Sequence, residues 1–321
     1  MFAIVGTIPE RDFPLEVGKI ALMNGSLFIG ERKINVNRGT PALLAAAIQA
    51  GKVLGEQEPH GFLVGDVGLG DGSRQLYEYL TEHLGKTSFD TLVFHYLQPD
   101  IDWHNKVLSA INEIPEKPIL IADAGSMYVA KMSGKSIEYD LFTPDAGELA
   151  FLADELAPHP FYTRGFVLHE DNRIPDLIAK AYAHKNAAQY LIVKGKTDYL
   201  ANREGIQATI EQPSVEALEA IGGTGDTLTG IAAALIAAGR QVAEAVEMAA
   251  KVNRLAGFYA NPNPGTSVRE IIDCIPRALE EIIKITEETG NVSWLAGRDK
   301  DWTKYDNFGN CELASSDRGR I

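Results

Sequence analysis

Along the first two thirds of the chain, short runs of β-branched and aromatic residues alternate with stretches in which apolar positions return every three or four residues. Phe62-Leu63-Val64, Thr91-Leu92-Val93-Phe94, Ile119-Leu120-Ile121-Ala122 and Tyr190-Leu191-Ile192-Val193 are continuous enough to read as buried strands. Between them the helical period predicts helices over Pro41 to Leu54, Ser73 to Leu84, Asn105 to Ile114, Ala146 to Leu156 and Pro175 to Lys185. Strand then helix, repeated, predicts an α/β fold with a mostly parallel central sheet and helices on both faces. Three further helices, Thr227 to Ala238, Val242 to Ala260 and Val268 to Thr289, follow almost back to back and are expected to cover one face.

No internal repeat or long linker interrupts residues 1–289, so one α/β domain is predicted there. Residues 290–321 differ: Trp294, Trp302, Tyr305 and Phe308 are mixed with charge and glycine without a sustained period. This segment reads as a tail, either docked on the body or on a neighbouring subunit of a homo-oligomer, or frayed.

Charge narrows the partners. With 44 acidic against 30 basic residues and a net charge of −14, nucleic acid and anionic membrane are excluded as bulk partners, though not a local basic cleft. No run reaches the ~18 to 20 apolar residues of a membrane span, and no basic region precedes an apolar core at the start. Cys274 and Cys311 are the only cysteines and have no Cys-x-x-Cys spacing, so no disulfide framework or zinc site is expected, and a cytoplasmic location fits. His60, His83, His95, His104, His159, His169 and His184 show no ligand spacing; each reads as a surface or core-edge residue, and no metal site of protein ligands alone is expected from them.

The strongest chemical signal is Ile221-Gly222-Gly223-Thr224-Gly225-Asp226-Thr227-Leu228-Thr229-Gly230, a glycine turn running into a helix too apolar to be exposed. The first amides of a helix lack partners within it and carry partial positive charge, so they bind phosphate, and only glycines let the backbone approach closely. Gly223, Thr224 and Gly225 are the expected phosphate cradle, with Asp226 as a carboxylate base inside it. Three strand ends add to this. Lys194-Gly195-Lys196-Thr197 follows a buried strand where ligands bind in open α/β sheets. Asp145 and Glu148 lie on one side of a helix start and could hold a hydrated Mg²⁺. Asp123 ends a third strand. A dinucleotide reading of Gly68-Leu69-Gly70 with Asp90 fails on geometry, because Asp90 precedes its strand instead of ending it.

Taken together, these residues resemble the ribokinase-like superfamily, a three-layer sandwich, and within it the ADP/ATP-dependent NAD(P)H-hydrate dehydratases, over roughly Ile20 to Ile285. Gly222 to Gly230 reproduces that family's Gly-Gly-Ser-Gly-Asp-x-Leu-Thr-Gly turn with Thr224 for serine. The resemblance implies a nucleotide (ATP or ADP) held by Lys194, Gly195, Lys196, Thr197 and Gly225, and a substrate contacted by Thr40, Asp123, Asp145 and Asp226. Arg38-Gly39-Thr40-Pro41 looks like its Gly-Ala-Pro helix start. Two departures stand out. Asp145-Ala146-Gly147-Glu148 replaces a His-Pro-Gly-Glu turn and resembles the Asn/Asp-x-x-Glu element of sugar and vitamin kinases, in which the glutamate helps organise Mg²⁺. The Gly-Pro-Gly-Leu-Gly loop falls at His95-Tyr96-Leu97-Gln98-Pro99, which has no glycine, while Gly65 to Gly70 is similar but one strand early.

The expected activity is repair of hydrated NAD(P)H by phosphoryl transfer to the hydrate hydroxyl and elimination. A Mg-dependent kinase acting on a sugar or thiamine-precursor alcohol, and a catalytically silent nucleotide-binding relative, stand as alternatives.

Overall fold

Alternation along the first apolar run sets the architecture: Phe2, Ile4 and Ile8 enter one core while Ala3 and Val5 enter another, so this strand is covered on both faces. A computed structural model of the chain describes residues 1–159, 173–263 and 265–289. Its first elements are β1 (Phe2–Ile8), β2 (Glu16–Met23), β3 (Ser26–Ile29), β4 (Arg32–Asn35), α1 (Thr40–Leu54), β5 (His60–Gly65), α2 (Asp71–His83), β6 (Thr91–His95) and α3 (Ile101–Asn112). Next come β7 (Ile119–Asp123), α4 (Gly125–Met132), β8 (Leu141–Phe142), α5 (Ala146–Ala153), α6 (Ile174–Ala183), β9 (Tyr190–Val193), β10 (Asp198–Asn202) and β11 (Gly205–Ile210). The helices α7 (Thr224–Ala237), α8 (Val242–Tyr259) and α9 (Val268–Thr289) follow.

One 11-stranded sheet runs in the order β11-β10-β9-β8-β7-β6-β1-β5-β2-β3-β4. From β5 through β1, β6, β7 and β8 to β9 the strands are parallel, and antiparallel strands extend both edges. Helices α1, α7, α8 and α9 pack against one face, around Ile4, Val93, Ile121 and Ile192. The opposite face, with Val5, Leu92, Leu120 and Leu191, is covered by α2 to α6. This is the α/β sandwich expected from the strand–helix alternation.

The differences are local and have physical causes. Strands β1 to β4, β10 and β11, and helix α4, were not foreseen; they are short, Gly-interrupted, or end in polar residues. The helix expected from Asn105 starts at Ile101, because Asp100 caps it by accepting from the Trp103 amide at 3.1 Å. The helix expected to reach Leu156 stops at Ala153, where the buried Lys131 ammonium gathers the carbonyls of Phe151, Asp154 and Ala157. Cys274 is buried in α9. The chain's other cysteine, Cys311, and the aromatic residues of the expected tail lie outside the described residues. No helix among the described residues is long and apolar enough to cross a membrane.

One close contact positions the site. A Cβ on Gly230 of α7 would stand 2.2 Å from the Leu43 carbonyl oxygen of α1, so only glycine allows these helices to approach as they do. Their N-termini therefore meet above the carboxyl ends of the parallel strands. Gly230→Ala should force them apart and destabilise the fold by about 1–3 kcal/mol. Thermal denaturation should show a melting temperature lowered by a few degrees, and an unchanged value would contradict the packing described.

Candidate functional site

The glycine turn lies at the meeting point of α1 and α7. Gly223, the residue before α7, has φ 107°, and a Cβ there would press on Val268 and on the Arg38 backbone. No side chain caps the helix, so the amides of Thr224, Gly225 and Asp226 have no intrahelical acceptor. Asn253 of α8 steadies the turn from behind, accepting from the Thr227 hydroxyl at 2.6 Å and donating to the Thr224 carbonyl at 3.0 Å.

Asp226 lies at the floor of this cleft with 12% of its side chain accessible. Its Oδ2 accepts from the Gly39 amide at 2.6 Å, and its Oδ1 faces His95 Nε2 at 3.1 Å. Gly39 precedes α1 with φ 80° and ψ −150°, a conformation reserved for glycine, which turns its amide toward the carboxylate. Burial works to raise the Asp226 pKa. The hydrogen bond from His95, the Lys194 ammonium and the Gly39 amide outweigh burial and hold it below the usual carboxylate range.

Beside it lies a second charged pair. Lys194 Nζ donates to Asp123 Oδ1 and Oδ2 at 3.0 and 2.9 Å, and Asp123 also accepts from the Thr229 hydroxyl at 2.7 Å and the Ala124 amide at 2.8 Å. Thr143 continues the chain, 2.9 Å from Thr229. Burial works to lower the Lys194 pKa, but Asp123, Glu148 and Asp226 together raise it, so the ammonium stays charged. A Cβ on Gly225 would lie 3.5 Å from Lys194 Nζ, which places this charge beside the phosphate turn. His95, Asp123 and Asp226 also bring three potential ligand atoms within 4.8 Å of one another. The Lys194 ammonium already neutralises Asp123 there.

Past Lys194, Gly195 and Lys196 form an exposed turn held by Arg254 of α8. Its guanidinium donates to the Gly195 and Lys196 carbonyls at 2.9 Å each and pairs with Asp198 at 2.7 Å. The structure thus brings Thr224, Gly225, Asp226, Lys194, Gly195, Lys196 and Thr197 to one strand-end edge. Two expected substrate contacts stand differently. Thr40 is 1% exposed and its hydroxyl is 2.9 Å from His95 Nδ1, so it lies behind the cleft. Asp123 is 2% exposed and its oxygens are engaged by Lys194, Thr229 and Ala124. In this structure both expected contacts stand back from the surface, Thr40 behind His95 and Asp123 behind Lys194.

Asp145 and Glu148 form a reciprocal capping box at the start of α5, each carboxylate accepting the other's backbone amide at 2.8 Å. One oxygen of each remains outside that pair. The Gly65–Gly70 loop is not a free phosphate nest. Asp66 Oδ1 accepts from the amides of Gly68, Leu69 and Gly70 at 2.9 to 3.1 Å, so an internal carboxylate occupies the place of an anion.

His95 was missed by the sequence reading, which took it for a surface or core-edge residue; it is wholly buried within the site. A signal was present. His95 follows Val93 by two residues and Asp123 follows Ile121 by two, and parallel register pairs His95 with Asp123 on one face. Tyr96, Thr143 and Thr229 were missed in the same way. Tyr96 is 47% exposed, its ring edge-on to His95, and its hydroxyl is pushed up to about 12 by burial and by the charge of Asp226.

The fold is that of the ribokinase-like proteins. The chain belongs to the carbohydrate-kinase family: the family model described as NAD(P)H-hydrate dehydratase matches residues 99–277, more than half its length. An uncharacterized protein of Methanocaldococcus jannaschii is 42% identical over 243 residues, covering 75% of this chain and 100% of that protein. The ADP-dependent (S)-NAD(P)H-hydrate dehydratase of Cenarchaeum symbiosum is 30% identical over 159 residues, covering 47% of this chain and 48% of the relative. A crystal structure of the ADP/ATP-dependent NAD(P)H-hydrate dehydratase from Bacillus subtilis, co-crystallized with ATP/Mg²⁺, superposes with a TM-score of 0.52 at 15% identity, covering 87% of this chain and 89% of that one.

Glu148 provides a test of the electrostatics. Burial first, then the charges of Asp123 and Asp145, raise its pKa to about 8 against the opposing pull of Lys194. A raised carboxyl contributes stability that is full below the unfolded value and is lost as pH climbs through about 8. Glu148→Gln mimics the neutral form, so in metal-free buffer its melting temperature should gain on the wild type between pH 5 and pH 9. A difference that does not change with pH would contradict this account.

Proposed function

We propose that the protein is a nucleotide-dependent NAD(P)H-hydrate dehydratase, working by phosphoryl transfer from ATP or ADP to the hydrate hydroxyl. The observation that carries this reading is the Asp226 carboxylate, fixed at both oxygens by His95 and Gly39 beside the open amides of α7 and the Lys194 ammonium. The terminal phosphoryl group rests on the amides of Thr224, Gly225 and Asp226, with Lys194 offsetting its charge. The exposed Gly195-Lys196-Thr197 turn receives the rest of the nucleotide.

As the substrate oxygen attacks phosphorus, its O–H bond breaks and Asp226 takes the proton, while the amides and Lys194 offset charge on the transferred group. General base action is typically worth about 10²- to 10⁴-fold, and one preorganised anion donor roughly 10²- to 10³-fold. The new carbon–phosphate ester is a better leaving group than hydroxide. Elimination breaks that C–O bond, the departing phosphate takes the proton from the neighbouring carbon, and the C=C bond of NAD(P)H is restored.

A divalent cation fits Asp145 and Glu148. Asp145 keeps one carboxylate oxygen outside the capping box, Glu148 Oε1 accepts there only from the Tyr128 hydroxyl at 3.3 Å, and the neighbouring Asp123 and Asp145 charges that add to burial in raising Glu148 would be relieved by Mg²⁺. When bound, Mg²⁺ supplies charge neutralisation for the phosphates.

A second reading, a kinase for a small alcohol, is favoured by the acid at Asp145 and by His95 and Tyr96 at the strand end where the family carries a glycine loop. One assay separates them. Incubated with ATP or ADP, Mg²⁺ and hydrated NADH, the wild type should regain reduced-nicotinamide absorbance. Asp226→Asn should lower that rate by about 10²- to 10⁴-fold while nucleotide affinity is kept. Phosphorylation of an alcohol without recovered absorbance would favour the kinase. Nucleotide binding with no turnover that Asp226→Asn affects would mark a silent relative.

A further inference from the structure

Behind Asp226 stands a buried imidazole. His95 is 0% exposed, and both ring nitrogens are engaged: Nδ1 with the Thr40 hydroxyl at 2.9 Å and Nε2 with Asp226 Oδ1 at 3.1 Å. The tautomer that satisfies both contacts next to an ionised carboxylate is the one in which Thr40 donates to Nδ1 and Nε2–H donates to Asp226. The surroundings make room for this arrangement. A Cβ on Gly6 of β1 would stand 2.7 Å from the Thr40 side chain and 2.9 Å from the His95 carbonyl, so Gly6 leaves the space in which the two side chains meet.

We propose that His95 is a positioning residue for Asp226, held in one tautomer by Thr40, so that the carboxylate keeps its free face toward the cleft. This rests on the reading of Asp226 as the base in phosphoryl transfer. The two donors come from different elements: His95 Nε2–H from the end of β6, and the Gly39 amide from the start of α1. A carboxylate held by one donor can turn about its Cβ–Cγ bond; one held at both oxygens cannot.

The competitor for Asp226 is close. Lys194, standing after β9, adds its charge to the field on Asp226, and turning toward that ammonium would remove the carboxylate from the position of an attacking hydroxyl. The other ionisable groups around it are Asp123 at the end of β7, 3.9 Å from His95 Nε2, and Tyr96, with Arg38 beside Gly222 near the phosphate turn. Among these His95 is the side chain that donates directly to Asp226.

The test uses the full chain with His95→Leu, which removes the donor, His95→Gln, whose amide can donate from about the same place, and Thr40→Val, which removes the group that sets the tautomer. In substrate-free protein, carbon-13 NMR of labelled aspartate reads the Asp226 titration directly. His95→Leu should move it to higher pH, Thr40→Val should move it the same way by less, and His95→Gln should leave it near the wild type. In turnover, His95→Leu should lower kcat by about 10- to 100-fold with nucleotide affinity little changed. The acid limb of its pH profile should shift with the NMR titration, and His95→Gln should recover most of the rate. An unmoved Asp226 titration with wild-type kcat in His95→Leu overturns the proposal, as does a His95→Gln variant as slow as His95→Leu. Should His95→Leu not fold, the Thr40→Val titration decides alone: a shift upholds the proposal and its absence overturns it. A shifted titration in a protein whose wild type transfers no phosphoryl group overturns the functional reading and leaves the positioning role standing.

Discussion

The site depends on one carboxylate held by donors from two directions. Asp226 enters at the start of α7, yet its orientation is fixed by the Gly39 amide at the start of α1 and by His95 at the end of β6. Neither donor is near it in sequence. Both reach it only because α1 and α7 approach to the distance that Gly230 permits, which brings two helix N-termini together over the carboxyl ends of the strands. The partial positive charges of two helix starts then converge on one small volume, where an anion is favoured. A phosphoryl group and a carboxylate base can share that volume because the amides of Thr224, Gly225 and Asp226 remain open while Asp226 is partnered elsewhere.

Behind this lies a buried polar chain whose members satisfy one another. Thr143, Thr229, Asp123 and Lys194 follow in sequence of contact, and the Ala124 amide completes the set around Asp123. An unpaired charge at this depth would be expensive, so the pairing of Lys194 with Asp123 lets an ammonium stand beside the phosphate turn. Arg254 does the same for the outer turn, tying Asp198 to the carbonyls of Gly195 and Lys196. The Lys194 cation beside the glycine turn is thus positioned by a carboxylate, and Asp145 and Glu148 stand at the end of β8, between the strands that carry Lys194 and Asp123.

Much of this was legible in the sequence where a local rule applied. Four of the parallel strands were visible as continuous apolar runs, and the phosphate turn as glycines entering an apolar helix, because close backbone approach admits no other residue. The edge strands β10 and β11 were not visible, since Asp198, Asn202, Gly205 and Gln207 break their apolar runs. Among site residues, Asp226 and Lys194 were found through their neighbours in the chain. His95 was not, because its meaning comes from register: the pairing of His95 with Asp123 across β6 and β7 exists only after the sheet forms. Thr40 stands behind His95, a placement that its position in the chain does not show, and Asp66 fills the Gly65–Gly70 loop that resembles the family's glycine loop one strand early.

Family membership and geometry meet at the same place, the start of α7, while His95, Tyr96 and Asp145 distinguish this chain from the pattern it otherwise follows. The central claim is spatial: the transferred phosphoryl group sits on the open amides of Thr224 to Asp226, within reach of the Asp226 carboxylate. A crystal structure with a non-hydrolysable ATP analogue and Mg²⁺ measures this directly. The account predicts the terminal phosphate on those amides, with Lys194 alongside and Asp226 still held by His95 and Gly39. A terminal phosphate bound elsewhere, with the turn at Gly223 to Asp226 empty, would contradict it.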